Sequence, residues 1–163
     1  MELKRCSHYS DYSVLNELLF CYINELHSID NTVVLRTKGQ LAREYFYTAD
    51  TSFFLVYEGS TAIGFCILGF DGNCHPDVNV YIEEFYIVPE ARRHGYGTAV
   101  FEELIIKNNM DTVCFYVLNN NSSAATFWRN LFAKNSWDDI SDMVHDINNN
   151  VNNCDWHVYR RKY

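Results

Sequence analysis

The chain has 163 residues, 48% of them apolar and 21% charged, with a formal net charge of −8 at pH 7. A chain of this length can bury about 70% of its unfolded surface in one ordinary domain, and this composition excludes a disordered polypeptide. No apolar run approaches the ~20 residues that cross a bilayer, and residues 1–6 lack the apolar core and cleavage site of a secretory signal, so no membrane partner and a cytoplasmic location are expected. Positive residues gather only around Arg92 and at Arg160-Arg161-Lys162, with no basic stripe, so nucleic acid is not expected as a partner. The six cysteines (Cys6, Cys21, Cys66, Cys74, Cys114, Cys154) have no CxxC pairing, and several stand in apolar runs, so they read as reduced thiols acting as small hydrophobes. The histidines show no metal-ligand spacing, and no metal is expected.

In chain order, residues 11–26 place Val14, Leu15, Leu18, Leu19, Tyr22, Ile23 and Leu26 at helical period, which predicts a helix. Residues 39–47 suggest a second, short one. Residues 53–57 and 61–70 are strand-like and flank Glu58-Gly59-Ser60, the pattern of a hairpin with a glycine-containing turn. After a loop at 71–77, residues 81–88 are rich in aromatic and β-branched side chains, and Pro89, which cannot donate to a ladder, ends that strand. Residues 98–106 return to helical spacing, 113–118 form another strand, and 119–132 another helix. Residues 142–147 and 155–160, separated by an Asn-rich stretch, suggest a closing hairpin with a polar turn. No repeat or linker divides the chain, so 1–163 reads as a single domain.

The segment from Tyr81 to Thr98 carries the chemistry. A strand runs into Arg92-Arg93-His94-Gly95-Tyr96-Gly97-Thr98 and then into a helix. The first amides of a helix have no intrahelical partner and lie at the positive end of its dipole. Gly95 and Gly97 let the backbone approach a ligand, while Arg92, Arg93 and His94 add positive or near-positive groups. A phosphate suits such a place.

Arg92-x-x-Gly95-x-Gly97 after a strand resembles the acyl-CoA pyrophosphate motif of the GNAT N-acetyltransferase superfamily. A second segment supports the resemblance: the strand 113–118 followed by Asn121, Ala124 and Phe127 at the spacing of that family's second cofactor segment. Two positions depart from the pattern. Trp128 stands where the family most often has a Tyr, and Phe132-Ala133 replaces the usual Gly-Phe. That Tyr commonly returns a proton to the CoA thiolate, and an indole is a donor that cannot act as an acid. Either Tyr116 or a water serves instead, or Trp128 only packs against the pantetheine arm.

The resemblance covers nearly the whole chain. It implies an α/β (α+β) fold with a central mixed, mostly antiparallel sheet of six to seven strands flanked by helices, and acyl-CoA bound at a splayed strand pair. Acetyl-CoA would be the co-substrate. Phe85, Tyr86, Ile87 and Val88 would line the pantetheine, with a backbone N–H near Ile87 or Val88 polarising the thioester carbonyl. The loop from Arg92 to Thr98, Tyr96 included, would hold the pyrophosphate, and Asn121, Ala124, Phe127 and Trp128 would complete the cofactor contacts. Homodimers are a tendency of the family.

Deprotonation of the attacking amine points to Glu83 and Glu84. Successive strand residues face opposite sides, so one of the pair faces the acyl-transfer cleft. A carboxylate in a partly apolar cleft is suited to take a proton directly or through water. Glu84 is preferred, because its spacing before Arg92 resembles the carboxylate position of some aminoglycoside-modifying members. The expected reaction is acetyl transfer to a primary amine of a small cationic molecule or a peptide, and the acidic net charge suits a cationic acceptor. The alternative is a non-catalytic acyl-CoA-binding sensor or assembly module of the same fold. Transfer to an oxygen nucleophile, or of a longer acyl chain, is a weaker third.

Overall fold

The computed structural model describes residues 1–46, 50–69, 78, 80–143 and 153–162. Its elements run β1 (Glu2–Arg5), α1 (Tyr9–Ile29), α2 (Lys38–Tyr45), β2 (Thr51–Glu58), β3 (Thr61–Gly69), β4 (Val80–Ile87), α3 (Tyr96–Phe101), β5 (Thr112–Leu118), α4 (Ser122–Lys134), β6 (Trp137–Asp139) and β7 (Cys154–Arg161). The strands are hydrogen-bonded in the order β1-β2-β3-β4-β5-β7-β6, a seven-stranded mixed sheet. By internal contacts the chain forms two compact units, Met1–Leu68 with Glu84–Phe101, and Gly69–Glu83 with Glu102–Tyr163.

In the first unit, α1 turns Leu15, Leu19 and Ile23 inward at intervals of four residues, as an amphipathic helix must. They meet Leu41 of α2, Phe53 and Leu55 of β2, Phe65 and Ile67 of β3 and Tyr86 of β4 in one core. Each fully buried leucine there contributes about 2 kcal/mol. The start of α1 is set by Asp11, whose carboxylate accepts from Ser7 N at 3.1 Å, His8 N at 3.2 Å and Lys4 Nζ at 2.5 Å. Those three donors hold its carboxyl down at about 2.

Strand β1 is an addition to the elements expected from the sequence. It pairs antiparallel with β2, from Glu2 opposite Tyr57 to Arg5 opposite Phe54. Only Leu3 among its four residues is apolar, so it lacks the alternation that marks a half-buried strand. It is an edge strand, where charged side chains discourage pairing with another chain. Between β3 and β4, Gly64 is required by close approach: a Cβ there would lie 2.3 Å from Tyr86 O.

In the second unit, β5 is parallel to β4, with Val80 opposite Val113 and Tyr81 opposite Cys114. On its other side β5 is antiparallel to β7, from Thr112 opposite Arg160 to Leu118 opposite Cys154. Strand β6 pairs with β7 and not with β5. The closing pair therefore differs from the expected hairpin: its first strand is Trp137–Asp139, Ser141–Met143 form a 3-10 turn, and 144–147 lie outside the described residues. The cause is local. Asp139 Oδ1 accepts from Ser141 N at 3.0 Å and from Ser141 Oγ at 2.5 Å, which bends the chain out of the strand after three residues.

The helix expected over 98–106 also changes character, because α3 gives way at Glu102–Ile106 to π-helical turns with Lys107 N bonded to Glu102 O at 3.0 Å. The expectation of six reduced thiols holds for Cys6, Cys21, Cys66 and Cys154. Cys114 corrects it: this fully buried residue is disulfide-bonded, with its partner outside the described residues.

Candidate active site

In the first unit β4 ends in a 3-10 turn at Pro89–Ala91. Ala91 N bonds to Val88 O at 3.0 Å and Arg92 N to Pro89 O at 3.2 Å, and these bonds turn the chain toward α3. Two residues of the loop are left-handed, Arg93 with φ of 65° and Gly95 with φ of 84°. At Gly95 the conformation itself calls for glycine. The first bond returning into α3 is Ala99 N to Gly95 O at 3.0 Å, so the amides of Tyr96, Gly97 and Thr98 precede the intrahelical ladder. Arg93, His94 and Gly95 are exposed, whereas Tyr96 through Thr98 are half-buried. The His94 ring stacks on Tyr96 with centroids 6.1 Å apart, and the Tyr96 hydroxyl donates to Glu58. That bond to a carboxylate raises the Tyr96 pKa.

Arg92 is tied down on three sides. Its Nε donates to Ile87 O at 2.8 Å, its Nη2 to Glu25 Oε2 at 2.7 Å, and its guanidinium carbon lies 5.5 Å from the Tyr86 ring centroid. Burial, and secondarily the Glu25 charge, push the Tyr86 phenol up to about 12. Sequence reasoning missed Glu25, which lies 67 residues before Arg92 on α1.

Of the two amides proposed to polarise the thioester carbonyl, that of Val88 is engaged, donating to Ile63 O of β3 at 2.9 Å. Alternate residues of a strand direct their polar groups to opposite edges, so the Ile87 N–H and C=O point away from β3. The Arg92 Nε bond to Ile87 O lies on that side.

The two glutamates part as alternation demands. Glu84 shares its face of β4 with Tyr86, which belongs to the core beneath α1 and α2, and the Tyr45 hydroxyl donates to Glu84 Oε1 at 2.5 Å. Burial first, then the Glu84 charge, drives the Tyr45 pKa far above its ordinary value, so the phenol stays protonated. Glu83 belongs to the second unit, where its Oε1 lies 2.9 Å from the place a Cβ would take on Gly69. A side chain on residue 69 would require the Glu83 carboxylate to shift. Phe85 and Glu84 are both half-buried, and Tyr86 and Ile87 are buried.

In the second unit the Asn121-x-x-Ala124 spacing has a structural meaning. Asn121 is the N-cap of α4, its Oδ1 accepting from Ala124 N at 3.1 Å. Ala124 and Phe127 are half-buried, while Trp128 is 7% exposed. The Trp128 ring lies in an aromatic column, 4.6 Å from Phe115, 4.9 Å from Phe127 and 5.9 Å from Phe132. Its substitution for Tyr thus places an indole in the packing of α4 on β5. Tyr116 points to the opposite face of β5, between Tyr81 at 6.3 Å and Trp156 at 4.7 Å.

Among the described residues no group of three or more His, Cys, Asp or Glu has the arrangement of a metal site. No helix among them is long and apolar enough to cross a membrane. A cavity of about 300 Å³ in the first unit borders the loop and is lined in part by Glu58, Glu90 and His94. Its two carboxylates make it a poor seat for a phosphate.

The profile of the "Acetyltransferase (GNAT) family" matches residues 13–131. No curated protein sequence matches the chain. Among solved structures, an acetyltransferase from Thermus thermophilus is similar with a TM-score of 0.70 at 15% identity, over 97% of this chain and 96% of that one. The PaiA N-acetyltransferase of Thermoplasma acidophilum, solved with coenzyme A, is similar with a TM-score of 0.61 at 18% identity over 100% of both chains. A ribosomal-protein-alanine N-acetyltransferase from Brucella melitensis reaches 0.62 at 13% identity, also over 100% of both. These similarities show the fold. With the family profile spanning both the loop at Arg92 and most of α4, the chain belongs to the GNAT family of acetyltransferases, enzymes that take an acetyl group from acetyl-CoA.

Proposed function

We propose that this enzyme transfers the acetyl group directly from acetyl-CoA to a primary amine of a small cationic molecule, aminoglycoside- or polyamine-like, or of a peptide. The observation that carries the cofactor half is the loop before α3, where the amides of Tyr96, Gly97 and Thr98 lie ahead of the helical ladder beside Arg92 and Arg93. Backbone donors of this kind favour an anion such as the CoA pyrophosphate. The Ile87 N–H, directed away from β3, is the donor we assign to the thioester oxygen.

The amine nitrogen attacks the thioester carbon, the C–S bond breaks, and the amine proton passes to Glu84, directly or through one water. The departing thiolate takes a proton from water or from Tyr116, since Trp128 has no acidic proton to give. The net charge of −8 supports a cationic acceptor. A binding module without turnover is the second reading, favoured by Trp128 at the position of the usual acid and buried among aromatic rings.

Calorimetric titration with acetyl-CoA, followed by thiol release in the presence of spermidine, kanamycin and peptides with a free α-amine or lysine, tests the proposal. Binding with amine-dependent release is the expected result. Binding without release from any amine supports the second reading, and no binding overturns both.

A further inference from the structure

We propose that Tyr45 is a positioning residue for acetyl transfer, its hydroxyl holding the Glu84 carboxylate in the orientation from which it takes the amine proton. The inference rests on the reading of Glu84 as proton acceptor. The two residues lie 39 apart in the chain, and their hydrogen bond of 2.5 Å is made within the first unit.

The end of α2 is well placed to define that bond. The helix starts at a capping box in which Thr37 N donates to Gln40 Oε1 at 2.8 Å and Gln40 N to Thr37 Oγ1 at 3.3 Å. Its Leu41 is fully buried in the core. Its last turn closes through Phe46 N to Ala42 O at 3.1 Å, and the Phe46 ring packs edge-on against Tyr12 at 5.1 Å and Phe53 at 5.7 Å. Tyr45 therefore leaves a helix end that is anchored on both sides, and its ring packs against the same core.

The chemistry of the pair is one-directional. The phenol keeps its proton, so it donates to Glu84 and does not compete for the proton of the substrate. Arg36 and Glu44, which form an ion pair at 2.6 Å, also act on Tyr45, and their effects oppose each other. The bond to Oε1 narrows the positions that the Glu84 carboxylate can take. A proton acceptor held in a productive orientation needs no further ordering when the amine arrives. The role assigned to Tyr45 is exerted through Glu84.

Tyr45→Phe keeps the ring and removes the hydroxyl. With the amine that gives the fastest thiol release among spermidine, kanamycin and the peptides, we expect kcat to fall about tenfold, while the acetyl-CoA dissociation constant and the acceptor KM stay within about twofold. Combined with Glu84→Gln, the change should add nothing, because both act on one group. Unchanged kcat overturns the proposal. A parallel loss of acetyl-CoA binding also overturns it, since the hydroxyl would then support the structure and not the proton transfer. If Tyr45→Phe and Glu84→Gln multiply their effects, Tyr45 acts elsewhere and the proposal fails. If the intact protein releases no thiol with any amine, the assignment of Glu84 falls first and this inference with it. That outcome is read on the unaltered protein and is distinct from the other three.

Discussion

Arg92 and Glu25 form an ion pair of 2.7 Å, so the arginine of the loop before α3 is already joined to a carboxylate of α1. Its Nε bond to Ile87 O and its stacking on Tyr86 tie the loop to the end of β4. The guanidinium thus has a structural task as well as the cofactor contact expected from the sequence.

Two substitutions separate these tasks. Arg92→Ala removes both and should weaken acetyl-CoA binding at least tenfold, the order expected from one charge-assisted hydrogen bond of about 1.5–3 kcal/mol. Glu25→Gln leaves a hydrogen-bonding partner but removes a negative charge near the proposed pyrophosphate. Because the pair is more than a quarter exposed on both sides, its loss should cost at most about 1 kcal/mol of stability. Acetyl-CoA should then bind a few-fold more tightly, with the gain shrinking as salt is raised. Calorimetry across a salt series checks both.

Gly95→Ala puts a Cβ on a residue with φ of 84°. The left-handed conformation should cost about 1–2 kcal/mol, lowering the thermal midpoint, and relaxation of the loop should weaken acetyl-CoA binding together with it. Gly39→Ala, within α2 where a Cβ meets nothing, is the control and should leave cofactor affinity unchanged.

Asn121→Ala removes the cap of α4 and should destabilise the protein by about 1 kcal/mol, whereas Asn121→Ser should retain most of the stability. Urea unfolding measures the first effect. If Asn121 also touches the cofactor, both variants should bind acetyl-CoA more weakly, and that loss should persist in the serine variant despite its intact cap.

Acid sensitivity should reside partly in Asp11. Its folded carboxyl is held at about 2, below the ordinary 3.8. A depressed folded value means that the stabilisation is complete above about pH 4 and is lost as pH falls toward 2. Asp11→Asn should therefore show a lower thermal midpoint at pH 7 and a flatter decline between pH 4 and 2. Equal slopes for the two proteins would assign the acid limb to other groups.

Each part of the fold that sequence reasoning found is contiguous in the chain. The strand, basic loop and helix from Tyr81 onward and the strand and helix from Val113 onward are written in neighbouring residues, where propensity and period act. The same reasoning missed β1, whose polar residues suit an edge, and β6, a three-residue strand that ends where the side chain of Asp139 turns the backbone. It proposed Glu83 and Glu84 as candidate proton acceptors on opposite faces, because alternation is local, but the partner of Glu84 came from a distant segment.

The sequence by itself determined the order of most elements, the strand, glycine-containing loop and helix around Arg92, and the family resemblance, since backbone preference and short motifs depend on residues a few positions apart. Only the tertiary structure decided that Tyr45 holds Glu84, that Glu25 holds Arg92, that the Val88 amide is engaged by β3 and that Trp128 is packed among Phe115, Phe127 and Phe132. Those relations join residues far apart in the chain except for the Trp128 contacts within α4. They exist because burial brings the segments together, and no spacing along the chain encodes which side chains then meet.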